Sequence, residues 1–285
     1  MFSPSTGRNR LIRALDLRRR IGTKRYVRHL VNRLAVELLK DPTLGPPPCY
    51  LKDRADEVTG EAFRKAFEFV VGTGISGDIL EFGTFKGYTA RLIATLMREF
   101  RYPGKLYLFD SFGGLPEIGS PIDQQSYEVA VKKVWFQGQG VLPAGIELSI
   151  RNALQKIIPA SQLVIVKGYY EETLGAHLPA SKAALIHIDC DLYSSTKYVL
   201  EKVLSKGILQ DGCVIMFDDF NANRANPLMG ERRALAEVVG GRDDFKHSLF
   251  FSYGYHGQAF FIHDLRAIRD LAPLSCNNLT LSEKD

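Results

Sequence analysis

Acidic residues or glycines stand where the short apolar runs of this chain end. Asp189-Cys190-Asp191 follows Ala184–Ile188, Asp218-Asp219 follows Cys213–Phe217, Asp110 follows Leu106–Phe109, and Glu81 lies in the run Asp78–Phe82. Asp189 and Asp191 are two apart, so on an extended strand end both side chains point the same way. Four carboxylates at neighbouring strand ends repel one another unless water or a cation intervenes. An all-oxygen ligand set suits Mg²⁺, Mn²⁺ or Ca²⁺ better than zinc. Asp191 has a second reading, as a cap for the helix that follows it. Asp189 and Asp218 each close a mostly apolar run and have no such alternative.

A second constellation points to a cofactor. Glu81-Phe82-Gly83-Thr84-Phe85-Lys86-Gly87 carries two glycines as GxxxG. A dinucleotide fold calls for GxGxxG, which seats a pyrophosphate on a helix N-terminus. A carboxylate at Glu81 repels pyrophosphate but suits a ligand with an amino group and a sulfonium. Asp110, followed by Ser111-Phe112-Gly113-Gly114, can accept both hydroxyls of a ribose. Glu81 with Asp110 is the pairing typical of S-adenosylmethionine sites. Gly83 has a plainer reading too, as the residue that permits a tight strand–helix turn. His187 shares the face of Asp189 and reads better as a core histidine than as a ligand. His256 falls on a turn. Tyr169, Tyr170, Tyr193 and Trp135 fit either packing or the flank of an adenine or acceptor.

These residues need a scaffold that brings them to one rim. Short apolar runs alternating with helical stretches indicate βαβ units and a parallel sheet. Strands are expected at Asp78–Phe82, Leu106–Phe109, Leu163–Val166, Ala184–Ile188 and Cys213–Phe217. Helices are expected at Gly60–Val71, Thr89–Phe100, Ser126–Phe136, Glu171–Leu174, Ser194–Ser205 and Glu231–Val239. His247–Tyr253 and Gln258–His263, separated by Gly254 and Gly257, read as a closing antiparallel hairpin. The fold expected is α/β, a doubly wound Rossmann-like methyltransferase fold. Its seven-stranded, mostly parallel sheet ends in the antiparallel hairpin, with N-terminal helices added. In open α/β sheets ligands bind beyond the carboxyl ends of the strands, where strand order reverses. Lys167-Gly168-Tyr169, at the third strand end, belongs to the same rim.

The chain has 285 residues, 45% of them hydrophobic, enough for one large core. Residues 1–33 hold ten Arg or Lys against Asp16 alone, a local charge of +9 in a chain of net charge +5. This basic head, a helical pattern over Tyr26–Lys40 and a break at Pro46-Pro47-Pro48 set off residues 1–50 as an arm, with the catalytic domain expected over 51–285. Such an arm meets an acidic partner, a membrane surface or a second subunit, or is simply a solvated tail. A homo-oligomer formed through it is the expectation. Cys49, Cys190, Cys213 and Cys276 lack metal-ligand spacing and fit a reducing compartment. No apolar run reaches the roughly 18 residues of a membrane span. The cytoplasm is expected. There is no Walker A sequence.

At its rim residues the sequence resembles the macrocin O-methyltransferase family. The matching stretches are GDILEFGTFKGYTARLI (77–93), LYLFDSFGGLPE (106–117), KGYYEETL (167–174), ALIHIDCDLYSST (184–196) and DGCVIMFDDF (211–220). The resemblance implies a metal-dependent O-methyltransferase that uses S-adenosyl-L-methionine and Mg²⁺ or Mn²⁺. It implies Asp189 as metal ligand and general base, with Asp218 and Asp219 completing the shell. Glu81, Phe82, Gly83, Thr84 and Gly87 would wrap the methionine portion. Asp110, Ser111 and Phe112 would hold the ribose, and Gly168 would line the same pocket. The acceptor implied is a small hydroxylated molecule, a sugar or other polyhydroxylated natural product, and a nucleic-acid partner is disfavoured. The Arg-rich head and Asn221–Gly230 depart from known members. Two rivals come from other classes: a divalent-metal transferase such as a nucleotide-sugar glycosyltransferase, and a non-enzymatic Rossmann-like module that binds nucleic acid or membrane through the Arg-rich head.

Overall fold

The protein is described from a computed structural model covering residues 52–267, with side chains from residue 57. The expected arm over residues 1–50, its helix and its subunit-clasping role lie outside the described residues. The chain divides into two compact units, Met1–Glu57 and Val58–Asp285. The second unit holds the sheet.

Its elements in chain order are α1 (Lys52–Gly72), β1 (Asp78–Phe82), α2 (Tyr88–Glu99), β2 (Leu106–Asp110), α3 (Pro121–Gln124), α4 (Ile146–Leu154), β3 (Leu163–Lys167), α5 (Tyr170–His177), β4 (Ala183–Ile188), α6 (Tyr193–Ser205), β5 (Val214–Phe217), α7 (Gly230–Leu235), β6 (Phe245–Tyr253) and β7 (Gly257–Asp264). Single π-helical turns follow α3 at Tyr127–Val131 and α7 at Ala236–Gly240.

The strands form one sheet in the order β3-β2-β1-β4-β5-β7-β6. β3 through β5 are parallel, and β7 and β6 join antiparallel. The chain runs outward from β1 to β3 and then crosses to β4, so strand order reverses between β1 and β4. Parallel strands buried on both faces need apolar side chains on both. Leu80, Phe82, Ile186, Ile188, Ile215 and Phe217 fill one core. Ile79, Leu185, Val214 and Met216 fill the other, beneath α1 and α2. α1 supplies Phe63, Ala66, Phe67 and Val70 to that second core, three to four residues apart as an amphipathic helix requires. Among the described residues no helix is long and apolar enough to cross a membrane.

The fold and the seven strands are as expected, with ends shifted by a residue or two. One helix differs. Ser126–Phe136 forms only the π turn Tyr127–Val131, because Glu128 is drawn inward to Asn223 and Lys133 takes a positive φ of 56°. α3 and α4 were not expected, although Ile146, Ile150 and Leu154 recur at helical spacing within α4.

Candidate active site

Sheet register brings the strand ends together. Phe82 lies opposite Phe109 on β2 and Ile188 on β4, and Ile188 lies opposite Phe217 on β5. Gly83, Asp110, Asp189 and Asp218, the next residues, therefore share one rim. Backbone hydrogen bonds carry the ladder one residue further. Gly83 donates to Phe109 O (3.0 Å), Asp189 to Phe82 O (2.8 Å), Asp218 to Ile188 O (2.9 Å) and Gly168 to Asp110 O (3.0 Å).

The glycine loop fits only without a side chain at its first position. Gly83 has φ 93°, and a Cβ there would sit 1.9 Å from the Asp189 carbonyl oxygen. Gly87, at φ 73°, opens α2. Asp110 ties this loop to the next one: Oδ2 accepts the Phe85 N–H at 2.6 Å and Oδ1 the Phe112 N–H at 2.5 Å. Burial pushes the Asp110 carboxyl up, and those N–H donors pull it back. Each oxygen keeps a further lone pair for a ligand.

A cleft opens over this rim. Of the residues expected around the cofactor, Gly83, Asp110, Ser111 and Gly168 line it, together with Asp189. Phe85, Tyr169, Gln139, Gly140 and Asp191 add to its walls. Phe85 and Tyr169 are more than a third exposed, although both are large and largely apolar.

Glu81, Phe82, Thr84 and Phe112 are buried beneath that surface. Glu81 does not line the cleft wall, and its Oε2 is buried without a hydrogen-bond partner. Strand alternation turns it to the α1 side, opposite His187, with Oε1 3.3 Å from His187 Nδ1. Phe63 meets the His187 ring edge-on at 5.0 Å. His187 is thus a core histidine with an acid partner.

The acids converge across two strands. One carboxylate oxygen from each of Asp189, Asp191 and Asp219 lies within 4.8 Å of the other two, and all three residues are half-buried. Asp191, rather than Asp218, completes this close trio. Asp218 stands beside it at the end of β5, and burial raises its carboxyl. Asp191 arrives through a left-handed turn with φ 60°, not by strand alternation. Its other reading, as a helix cap, is taken by a distant residue: Asp123 accepts the N–H groups of Tyr193 (2.8 Å) and Ser194 (3.1 Å) at the start of α6. Burial, then repulsion from neighbouring acids, pushes Asp189 and Asp191 well above the ordinary carboxylate range. Among the described residues no lysine or arginine forms an ion pair with this trio.

Two further residues reach the acids without a local signal in the sequence. Glu231, fully buried in the first turn of α7, accepts the Asp219 N–H through Oε2 at 3.0 Å. His256, on the β6–β7 turn, has Nδ1 3.2 Å from Asp219 Oδ1. Its carbonyl also accepts the Asn221 N–H at 2.9 Å.

The strap Asn221–Gly230 leaves directly from Asp219. Asn223, Arg224 and Ala225 have successive φ values of 55°, 59° and 55°. Left-handed backbone costs a residue with a side chain about 1–2 kcal/mol, so the turn must be held from outside. Asn223 Oδ1 accepts the Glu128 N–H at 3.1 Å, and Glu128 Oε1 accepts the Asn223 N–H at 3.4 Å. The Arg224 guanidinium lies 4.0 Å over the Tyr127 ring and donates to its hydroxyl at 2.8 Å. Trp135 packs with Leu192 and Ala222, closing the same seam.

Comparison with known proteins places this arrangement. Residues 58–238 match the family model described as Macrocin-O-methyltransferase (TylF). The chain is 28% identical over 155 residues to 8-demethyl-8-(2,3-dimethoxy-alpha-L-rhamnosyl)-tetracenomycin-C 4'-O-methyltransferase of Streptomyces olivaceus, covering 54% of this chain and 56% of that one. It is 26% identical over 180 residues to demethyldecarbamoylnovobiocin O-methyltransferase of Streptomyces niveus, covering 63% and 66%. The matches thus span just over half and just under two thirds of those relatives. Two solved structures share the fold. The calicheamicin methyltransferase CalS11 has a TM-score of 0.60 at 22% identity, covering 92% of this chain and 93% of that one. The O-methyltransferase NovP has a TM-score of 0.58 at 20% identity, covering 72% and 79%.

Proposed function

The chain belongs to the macrocin-O-methyltransferase family, and on that premise we propose that it is an S-adenosylmethionine-dependent O-methyltransferase assisted by Mg²⁺ or Mn²⁺. The acceptor is a hydroxyl of a sugar or other polyhydroxylated natural product, the kind of molecule named in the two Streptomyces relatives. The observation that carries this reading is the close approach of Asp189, Asp191 and Asp219 beside the Gly83 turn. Three carboxylates that no described lysine or arginine pairs with form a hard, oxygen-only donor set.

The residues present fit both groups. Asp189, Asp191 and Asp219 would hold the cation, with Asp218 as the adjoining acid. Gly83 and Gly168 admit a ligand against bare backbone, Asp110 and Ser111 take the ribose hydroxyls, and Phe85 and Tyr169 offer aromatic surface to the adenine. S-adenosylmethionine supplies the methyl group on a sulfonium, and a divalent cation lowers the pKa of an acceptor hydroxyl.

The chain's own part is positioning and proton transfer. Asp189 stands between the glycine loop and the other acids, so it takes the acceptor hydroxyl proton on the side facing the methyl donor. Gly83 fixes Asp189 through close backbone packing. The strap Asn221–Gly230 and residues 111–145 wall the acceptor side and select its shape. Buried, unpaired Cys190 and Cys213 accord with a cytoplasmic enzyme. The family leaves the glycosyltransferase reading of Asp189-Cys190-Asp191 without support.

The test is a calorimetric titration of S-adenosylmethionine with and without Mg²⁺, followed by methyl transfer to a panel of glycosides and nucleotide sugars. Binding of the cofactor and transfer that EDTA abolishes are expected. A protein that ignores S-adenosylmethionine would sink the proposal, and transfer indifferent to EDTA would remove its metal half.

A further inference from the structure

Glu231 is an acid to which the reading above gives no task. It is wholly buried, although a buried carboxylate is costly unless a cation or several donors meet it. Oε2 accepts the Asp219 N–H at 3.0 Å, whereas Oε1 is buried and has no hydrogen-bond partner. Neither neighbouring arginine donates to Oε1, although Arg232 keeps a buried Nε without a partner. Arg232 donates to Asn221 Oδ1 and lies over the Phe220 ring, and Arg233 pairs with Glu237. The charges that weigh on Glu231 are instead those of Asp219, Asp218 and Asp191.

A neutral side chain could accept the Asp219 N–H without placing another negative charge among acids. The orphaned Oε1 therefore calls for a donor that arrives from outside the chain.

We infer that Glu231 is a positioning residue for the divalent-cation site, in which Oε2 fixes Asp219 through its backbone and Oε1 accepts a hydrogen from water carried by the hydrated cation. This inference rests on the metal half of the proposed function. Carboxylates that orient metal ligands in this way characteristically govern affinity, and their loss weakens metal binding by about 10–100-fold.

Glu231→Gln separates this role from a merely structural one. The amide oxygen can still accept the Asp219 N–H, so the loop keeps its anchor. The amide nitrogen then presents a donor to the acids where Oε1 presented an acceptor. Mn²⁺ binding to the full chain is measured by electron paramagnetic resonance, alongside the melting temperature in EDTA. Glu231→Gln is expected to bind Mn²⁺ about 10–100-fold more weakly than wild type, with a melting temperature in EDTA equal to or above wild type. S-adenosylmethionine affinity without metal should not change. Glu237→Gln, six residues further on and paired with Lys197 and Arg233, serves as the control and should bind Mn²⁺ normally. Wild-type Mn²⁺ affinity in Glu231→Gln would overturn the inference and leave Glu231 as an anchor for the Asp219 backbone. Absence of Mn²⁺ binding in wild type would instead overturn the metal reading itself.

Discussion

The buried acids of the rim and Glu237, which follows the last of them in the chain, handle charge in opposite ways. At the rim, Asp189, Asp191, Asp218 and Glu231 are all raised above their ordinary values, in each case chiefly by burial. On the π turn just beyond α7, Glu237 accepts from Tyr193 Oη at 2.6 Å, Lys197 Nζ at 3.0 Å and Arg233 Nε at 2.6 Å. Its carboxyl is pushed down to about 2, first by the Tyr193 hydroxyl and then by Arg233. Glu231 and Glu237 are six residues apart. One is sealed among its own kind, and the other is met by two cations at the surface. An acid whose partners are all on the chain serves the fold. Acids without such partners mark where something must be bound.

The comparison is broken most directly at Asp189. Asp189→Asn should lower methyl transfer by about a thousandfold or more, since base and cation ligand are lost together. Cofactor affinity, measured by calorimetry, should stay within a few-fold. Full turnover in that variant would make the rim acids as structural as Glu237. Gly83→Ala comes next. A Cβ 1.9 Å from the Asp189 carbonyl forces the two strand ends apart, and about 3 kcal/mol of stability should be lost by denaturant titration. Millimolar Mn²⁺ should then raise the melting temperature of wild type by about 5–10 °C at saturating excess, and Asp189→Asn should lose most of that shift.

The pH profile sharpens the contrast. Rim carboxyls with raised values bind protons more tightly when folded. Their contribution to metal-free stability is therefore full below the unfolded carboxylate range, about pH 4, and is lost as pH rises through their raised values. Glu237 runs the other way: its contribution is present above the ordinary 4.5 and is lost as pH falls toward 2. Melting curves in EDTA should fall with rising pH above the carboxylate range. The smallest effect is Glu237→Gln, worth about 0.5 kcal/mol at pH 7 because the group is one-third exposed. That difference should vanish near pH 2, and a difference that persists there would mean packing rather than charge.

Much of the sheet was legible in the sequence because each strand is a short apolar run that stops at an acid or glycine. Register then follows from adjacency, and it delivered Gly83, Asp110, Asp189 and Gly168 to one cleft. Glu81 was read as facing that cleft because its type and position suit a cationic ligand. Strand alternation, which depends on where the pleat starts, sent it instead to His187. Asp191 joins Asp189 as their spacing suggested, but through a left-handed turn rather than by strand alternation. Asp123, Glu128 and Glu231, and the partner of His256, were missed for a different reason. Their partners lie 12 to 95 residues away, at Tyr193, Asn223 and Asp219. A polar residue whose partner is distant in the chain carries no local mark of what it will meet.

The reach of Asp123 across 70 residues to the first turn of α6 bears on how such an enzyme can be re-engineered. The segment 111–145 is an obvious piece to exchange when a different acceptor is wanted. Yet that segment also terminates a helix whose N-terminus follows the Asp189 turn, and through Glu128 it props the strap beyond Asp219. A chimera that replaces the whole segment would uncap the helix and release the strap together. Grafts that retain Asp123, Glu128 and Trp135, and vary only exposed residues such as Val134 and Phe136, would leave intact the contacts that cap the helix and hold the strap.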